Sequence, residues 1–156
     1  MTESGCLVCR SNEGVERISP GQPVHDAKSW VVEHAYPTSL LGWLVIVLKR
    51  HAEALHELSR EEGEELGLLQ WAVSRALSTE TGCMKEYAVF FAEQPRFNHV
   101  HVHMVPRAPD MDAQQLGGLV FTHLRPDPSA VLDATEVARF CERAGEAIRF
   151  ELAAVD

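Results

Sequence analysis

The sequence predicts an α+β domain built on an antiparallel sheet. Three observations carry that prediction. Short β-branched runs and long amphipathic stretches follow one another as strands, helix, strands, helix. Residues 99–105, HVHVHMV, alternate strictly, as a strand with two different faces does. The chain of 156 residues suits one domain. A chain of that size can bury roughly 70% of the surface its unfolded form exposes, so it needs neither disulfide nor metal merely to own a core.

Residues 1–22 read as a loop, rich in Ser, Asn, Gly and Pro. Trp30–Val32 is a short strand. Gly42–Leu48, GWLVIVL, is a buried strand, because it is short, β-branched and bounded by Gly and Lys-Arg. Ser59 then opens a helix. With Glu62 it has the spacing of a capping box, and Glu61, Glu62, Glu64 and Glu65 suit the positive end of the helix dipole. Leu66, Leu69, Val73 and Leu77 form its apolar stripe, and Gly82 is its terminator. Tyr87–Phe91 reads as a strand, followed by the alternating strand 99–105. Residues 106–132 are mixed, with PRAPD and RPDPS as turn signals and Leu119–His123 as a short extra strand. Asp133 opens the last helix, with Glu136 completing a second capping box and Val137, Phe140, Ala144 and Ile148 on its apolar face.

Composition narrows the function. The net charge is −9, with no basic run. Binding a nucleic-acid polymer depends on Lys and Arg displacing counterions from phosphates, so that class is disfavoured. A small phosphorylated ligand stays open, because a pocket's local field can oppose the net charge. No apolar run approaches the ~20 residues of a membrane span, and the first residues lack the basic-then-apolar pattern of a signal peptide. Four cysteines without such a signal point to a reducing compartment, hence a cytoplasmic protein. Cys6 and Cys9 form a C-x-x-C pair, while Cys83 and Cys141 stand alone and read as buried thiols.

The strongest chemical signal is His99-Val100-His101-Val102-His103. On a strand all three imidazoles project from one face. Close imidazoles repel one another when protonated, so at least one is neutral near pH 7 and free to act as ligand or nucleophile. The plainer alternative is a row of surface histidines. The C-x-x-C pair can place two thiolates on one tetrahedral ion, with His51 and His99 as further ligands. It can equally be a redox pair or two buried thiols.

The run H-V-H-V-H-M-V-P-R resembles the signature of the histidine-triad superfamily of nucleotidyl hydrolases and transferases. The segment Gly42–His51 resembles that family's G-H-x-L-V-x-P-K-x-H, and the C-x-x-C pair resembles its zinc-bearing bacterial branch. The resemblance runs from about Cys6 to Arg107. It implies a five-stranded antiparallel sheet with two main helices, and a homodimer. It divides the chain into a catalytic domain with an N-terminal zinc-binding loop over 1–110, and an extension over 111–156 that ends in a helix and packs on the same domain. It makes His101 the nucleophile toward the α-phosphorus of a small nucleotide substrate, and His103 a proton donor near the leaving oxygen. It makes Cys6, Cys9, His51 and His99 the four ligands of a structural zinc.

The chain also departs from the family pattern. Gln94-Pro95-Arg96-Phe97-Asn98 replaces the Gly-Gln and hydroxyl residues that cradle phosphate. Pro95 removes a backbone donor. Arg96, whose fork can grip a phosphate, and Asn98 become candidate substrate contacts. Arg96 can equally be a solvated loop residue. Trp43 stands where a histidine lines the nucleotide site, and Ala35 stands where an acid holds the ribose. Three rival readings follow: a nucleotide-binding regulator without turnover, a metalloenzyme holding its metal on the histidine triplet, and a purely structural or interaction domain.

Overall fold

The computed structural model describes residues 5–155. The elements are α1 (Leu7–Asn12), β1 (His25–Asp26), β2 (Trp30–His34), β3 (Leu44–Leu48), α2 (Arg60–Thr81), β4 (Lys85–Val89), β5 (His101–Arg107) and α3 (Ala134–Ala153). The five strands form one sheet in the order β1-β2-β3-β5-β4, and every neighbouring pair is antiparallel. The α+β class and the antiparallel sheet are as the sequence predicts. Among the described residues, no helix is long and apolar enough to cross a membrane.

Local chemistry explains the two long helices. The Ser59 side chain accepts from the Glu62 N–H while Glu62 reaches back to the Ser59 N–H, a complete capping box. Gly82 closes α2 at φ +64°, a left-handed conformation that glycine adopts without Cβ strain. At α3 only half of the expected box forms. Asp133 accepts from the Thr135 and Glu136 N–H groups, as a simple cap.

Both faces of the sheet are covered. On one face Trp30, Val32, Leu44, Ile46, Leu48, Val100, Val102 and Met104 pack against the buried stripes of α2 and α3. α3 also comes very close to the start of the sheet: a Cβ at Gly145 would collide with the Val24 carbonyl oxygen. On the other face Val31, Trp43, Val45, Val47 and Val105 pack with Cys6, Val8 and Cys9 of the N-terminal segment and with Val120.

Several boundaries differ from the sequence reading: the strand expected at Gly42–Leu48 starts at Leu44, and the one expected at Trp30–Val32 runs on to His34. The expected N-terminal loop contains α1, with Cys6 at its N-cap, because Val8 and Cys9 find an apolar sheet face to cover. The strand expected at Leu119–His123 is instead part of a 3-10 helix over Gly117–Leu124. It packs on a sheet face, with Val120 among Trp43, Val45 and Val105, so its backbone bonds locally instead of joining a strand. The strand expected at 87–91 runs Lys85–Val89, because pairing with β5 ends at Val89↔His103. The strand expected at 99–105 runs His101–Arg107, because Val100 bonds instead to Ala52 and Leu48 where β3 turns out of the sheet.

Candidate active site and metal centre

β5 presents alternate residues to the face that α1 covers. Its register places His101 opposite Val47 and His103 opposite Val45. The odd-numbered side chains from His99 to Val105 therefore line one face, and the even-numbered ones enter the α2/α3 core. Three imidazoles lie in a row, and each has a different partner. Because a carbonyl can only accept and an indole N–H can only donate, the partners determine where each ring carries its proton.

His99 is fully buried, and its Nε2 lies 2.7 Å from the Leu48 carbonyl oxygen. Nε2 therefore donates, and Nδ1 carries the lone pair. That Nδ1 faces the sulfurs of Cys6 and Cys9, each at 3.5 Å. His51 Nδ1 lies 3.3 Å from Cys9 Sγ. The donor atoms of Cys6, Cys9, His51 and His99 all lie within 4.8 Å of one another, and among the described residues no other such group forms. Ligands at about 2.3 Å (sulfur) and 2.0–2.1 Å (nitrogen) from a tetrahedral zinc are separated by about 3.5 Å along an S–N edge. The donor set, its spacing and the His99–carbonyl bond that orients one ligand all fit zinc. Four protein donors would complete its shell, and the ion would pin α1 to the start of β5.

His101 is 8% exposed, and its Nδ1 donates to the His99 carbonyl oxygen at 2.6 Å. Its Nε2 therefore carries an unshared lone pair. Burial lowers the pKa of this imidazole, and the carbonyl bond partly opposes that shift. His103 is half-buried, and its Nδ1 accepts from Trp43 Nε1 at 3.0 Å. Burial first, and the charge of His101 second, push its pKa down to about 3. The His101 and His103 rings meet edge-on at 4.9 Å. Phe121, from the 3-10 segment, stands edge-on to His103 at 5.1 Å and to Trp43 at 5.1 Å. Phe91, 58% exposed, lies beyond it at 5.4 Å.

The other candidates fall elsewhere. Trp43, expected to line the nucleotide site, has no exposed surface, so its bearing on the site runs through His103. Arg96 sits at φ +71°, accepts the Leu7 N–H on its carbonyl and points its side chain to Glu16 at 3.7 Å. Asn98 hydrogen-bonds the Glu53 carboxylate, beside His51. Both are thus engaged on the metal side. Sequence reasoning missed Phe121 and the backbone carbonyls of Leu48 and His99. A five-residue apolar run carries no sign of lying over a histidine, and carbonyls are common to every residue.

One more histidine matters for stability. His34 is buried against Phe140, donates from Nδ1 to the Ala35 carbonyl and accepts the Gly42 N–H on Nε2. Burial holds its pKa down at about 4.

Comparisons with known proteins bear on the family and the fold. The family described as "Scavenger mRNA decapping enzyme C-term binding" matches residues 6–117. No curated protein matches the chain. Among solved structures, a Hit-like protein from Bartonella henselae, described as involved in cell-cycle regulation, is similar with a TM-score of 0.71 at 11% identity, covering 94% of this chain and 98% of that one. A zinc-bound histidine triad family protein from Mycobacterium smegmatis is similar with a TM-score of 0.61 at 17% identity, covering 99% and 98%. A hypothetical histidine triad nucleotide-binding protein from Sulfolobus tokodaii is similar with a TM-score of 0.63 at 18% identity, covering 96% and 93%. At these identities the likeness concerns the fold.

Proposed function

The chain belongs to the scavenger mRNA decapping enzyme C-term binding family, within the histidine-triad superfamily, and from that premise we propose that it is a nucleotidyl hydrolase or transferase with His101 as nucleophile. The observation that carries this reading is the 2.6 Å bond from His101 Nδ1 to the His99 carbonyl. It leaves the Nε2 lone pair for attack at the α-phosphorus of a nucleoside 5′-phosphoryl compound. As the Nε2–P bond forms, the bond from phosphorus to the leaving group breaks, and the departing atom keeps the electron pair. Water or another acceptor then attacks the same phosphorus. The P–N bond breaks, its electron pair returns to Nε2, and the acceptor's proton passes to solvent.

In this reading Cys6, Cys9, His51 and His99 hold a structural zinc. When bound, it would supply rigidity at the base of β5, a structural role that a closed four-ligand site suits. His103 acts beside the leaving oxygen. Residues 111–156 belong to the same folded unit as 1–110, since α3 packs in its core and the 3-10 segment packs on His103. The substrate is a small nucleotide, and the protein works as a homodimer, a point that light scattering checks. The alternative in which the triplet itself holds a catalytic metal is less favoured, because among the described residues the one group of donors close enough to share an ion is Cys6, Cys9, His51 and His99, which includes neither His101 nor His103.

The test is product release from nucleoside phosphoramidates, dinucleoside polyphosphates and nucleotide sugars. It is paired with intact-mass measurement after alkaline quench, to catch a nucleotidyl group on His101. Turnover with a trapped adduct in the wild type, and neither in His101→Ala, is the expected result. Nucleotide binding without turnover across the panel would favour the regulator reading instead.

A further inference from the structure

We infer that Trp43 is a positioning residue: its indole N–H holds His103 as an uncharged imidazole whose single proton sits on Nε2, so that His103 meets the reacting group as a neutral hydrogen-bond donor. The catalytic half of this inference rests on the function proposed above. The protonation half rests on the structure alone.

Trp43 Nε1 lies 3.0 Å from His103 Nδ1. An indole nitrogen can donate and cannot accept. His103 Nδ1 must therefore be bare, and a neutral ring then carries its proton on Nε2. Protonating His103 would set one N–H against another. Trp43 is fully buried, so water cannot take its place. The ring is also held in orientation. Trp43, His101 and Phe121 surround it at 5.7, 4.9 and 5.1 Å, each nearly perpendicular to it.

Among the described residues, nothing around His103 favours an imidazolium. Its strand neighbours are Val45 on β3 and Val89 on β4. On β5 the adjacent residues of the same face are His101 and Val105, and Phe121 covers it from the 3-10 segment. The one titratable ring in contact is His101, whose charge would oppose a second positive charge. Glu33, one strand beyond Val45, is paired with Arg17 at 3.0 Å. The low pKa of His103 agrees with this uncharged environment.

The consequence differs from the proton-donor role the family resemblance suggests for His103. A neutral imidazole near pH 7 does not hand over its proton. It stabilises negative charge developing on an oxygen of the transferred group, as a fixed donor does. The leaving group then takes its proton from solvent, which favours leaving groups stable as anions.

The experiment uses full-length protein with 15N-labelled histidine and measured metal content. Two-bond ring correlations in NMR separate the Nε2–H, Nδ1–H and charged imidazoles. The wild type is expected to show His103 as the neutral Nε2–H form from about pH 5 to pH 8. Trp43→Phe keeps an aromatic ring and removes the donor. In it the Nδ1–H form should appear, with kcat falling about tenfold and KM little changed. A charged or Nδ1–H His103 in the wild type at neutral pH would overturn the inference. So would an unchanged tautomer in Trp43→Phe. If Trp43→Phe does not fold, the wild-type spectrum still decides the protonation. If no substrate turns over while the spectrum is as expected, the proposed reaction fails and the role of Trp43 in fixing the proton stands.

Discussion

Residues 99 and 103 are four positions apart on one strand face, yet their surroundings have almost nothing in common. Around His99 lie two sulfurs, a second histidine and a carbonyl. Around His103 lie an indole, a phenyl ring and another imidazole. The same side chain therefore does different work according to what the far nitrogen touches. A carbonyl on Nε2 leaves His99 its Nδ1 lone pair, which faces the two sulfurs as the proposed ligand. A carbonyl on Nδ1 leaves His101 its Nε2 lone pair, the proposed nucleophile. An indole on Nδ1 leaves His103 its proton on Nε2, the proposed hydrogen-bond donor. The lesson is that alternation sets the face, and the neighbouring strands and loops set the chemistry.

If the two ends are distinct devices, they should fail separately. His101→Ala is expected to lower turnover by at least about 10³-fold. Zinc content by atomic emission, and thermal stability, should stay at wild-type values. Loss of zinc in that variant would merge the two ends. Cys9→Ala strikes the other end. It should lose the metal and cost on the order of 4 kcal/mol, comparable to removing a ligand present at about a thousand times its Kd. Denaturant titration measures that cost. Residual turnover that is still abolished by adding His101→Ala would show the nucleophile working without the ion.

His34 provides an internal control, because it has protein partners on both nitrogens and no part in either device. Its pKa is about 4 folded, against 6.5 for an ordinary histidine. The unfolded chain therefore binds the proton first as pH falls. The stability His34 contributes is fully present above about pH 6.5 and is lost progressively toward pH 4, on the order of 3 kcal/mol. His34→Gln should flatten that acid limb, read as the difference between the two proteins' denaturation midpoints from pH 7 to 4. An unchanged slope would mean that the acid limb belongs to the metal end instead. The smallest effect is expected at Arg96, whose side chain is 57% exposed and turned to Glu16. Arg96→Ala should change KM less than about twofold, as for an exposed pair. A tenfold rise would show this arginine reaching the phosphate.

Much of this was legible in the sequence because it depends on local rules. Ser59 with Glu62, the Leu66–Leu77 stripe and the histidine alternation each specify their own geometry over a few residues. His51 and His99 are on offer to the C-x-x-C pair from the sequence, but separation along the chain says nothing about closeness, and only the family resemblance singles them out as its partners. The segment LVFTH has strand chemistry, and its packing against a sheet face, which no local rule announces, makes it a 3-10 helix instead. The reach of Trp43 is equally hidden. Its indole passes sideways to His103, a contact set by side-chain direction and not by register.

Gly145 has a bearing on how the chain is made. Its close approach to Val24 joins the first part of the sheet to a helix that is made well after the rest of the sheet. Cys6, Cys9, His51 and His99 are all synthesised before α3, so that cluster can close first. The opposite face of the sheet, with Trp30, Val32 and Leu44, remains only partly covered until Phe140, Ala144 and Ile148 follow. A ribosome stalled between those two points would hold a chain with its sulfurs sheltered and its oily side exposed. That is the interval in which self-association competes with folding, and in which a chaperone has something to hold.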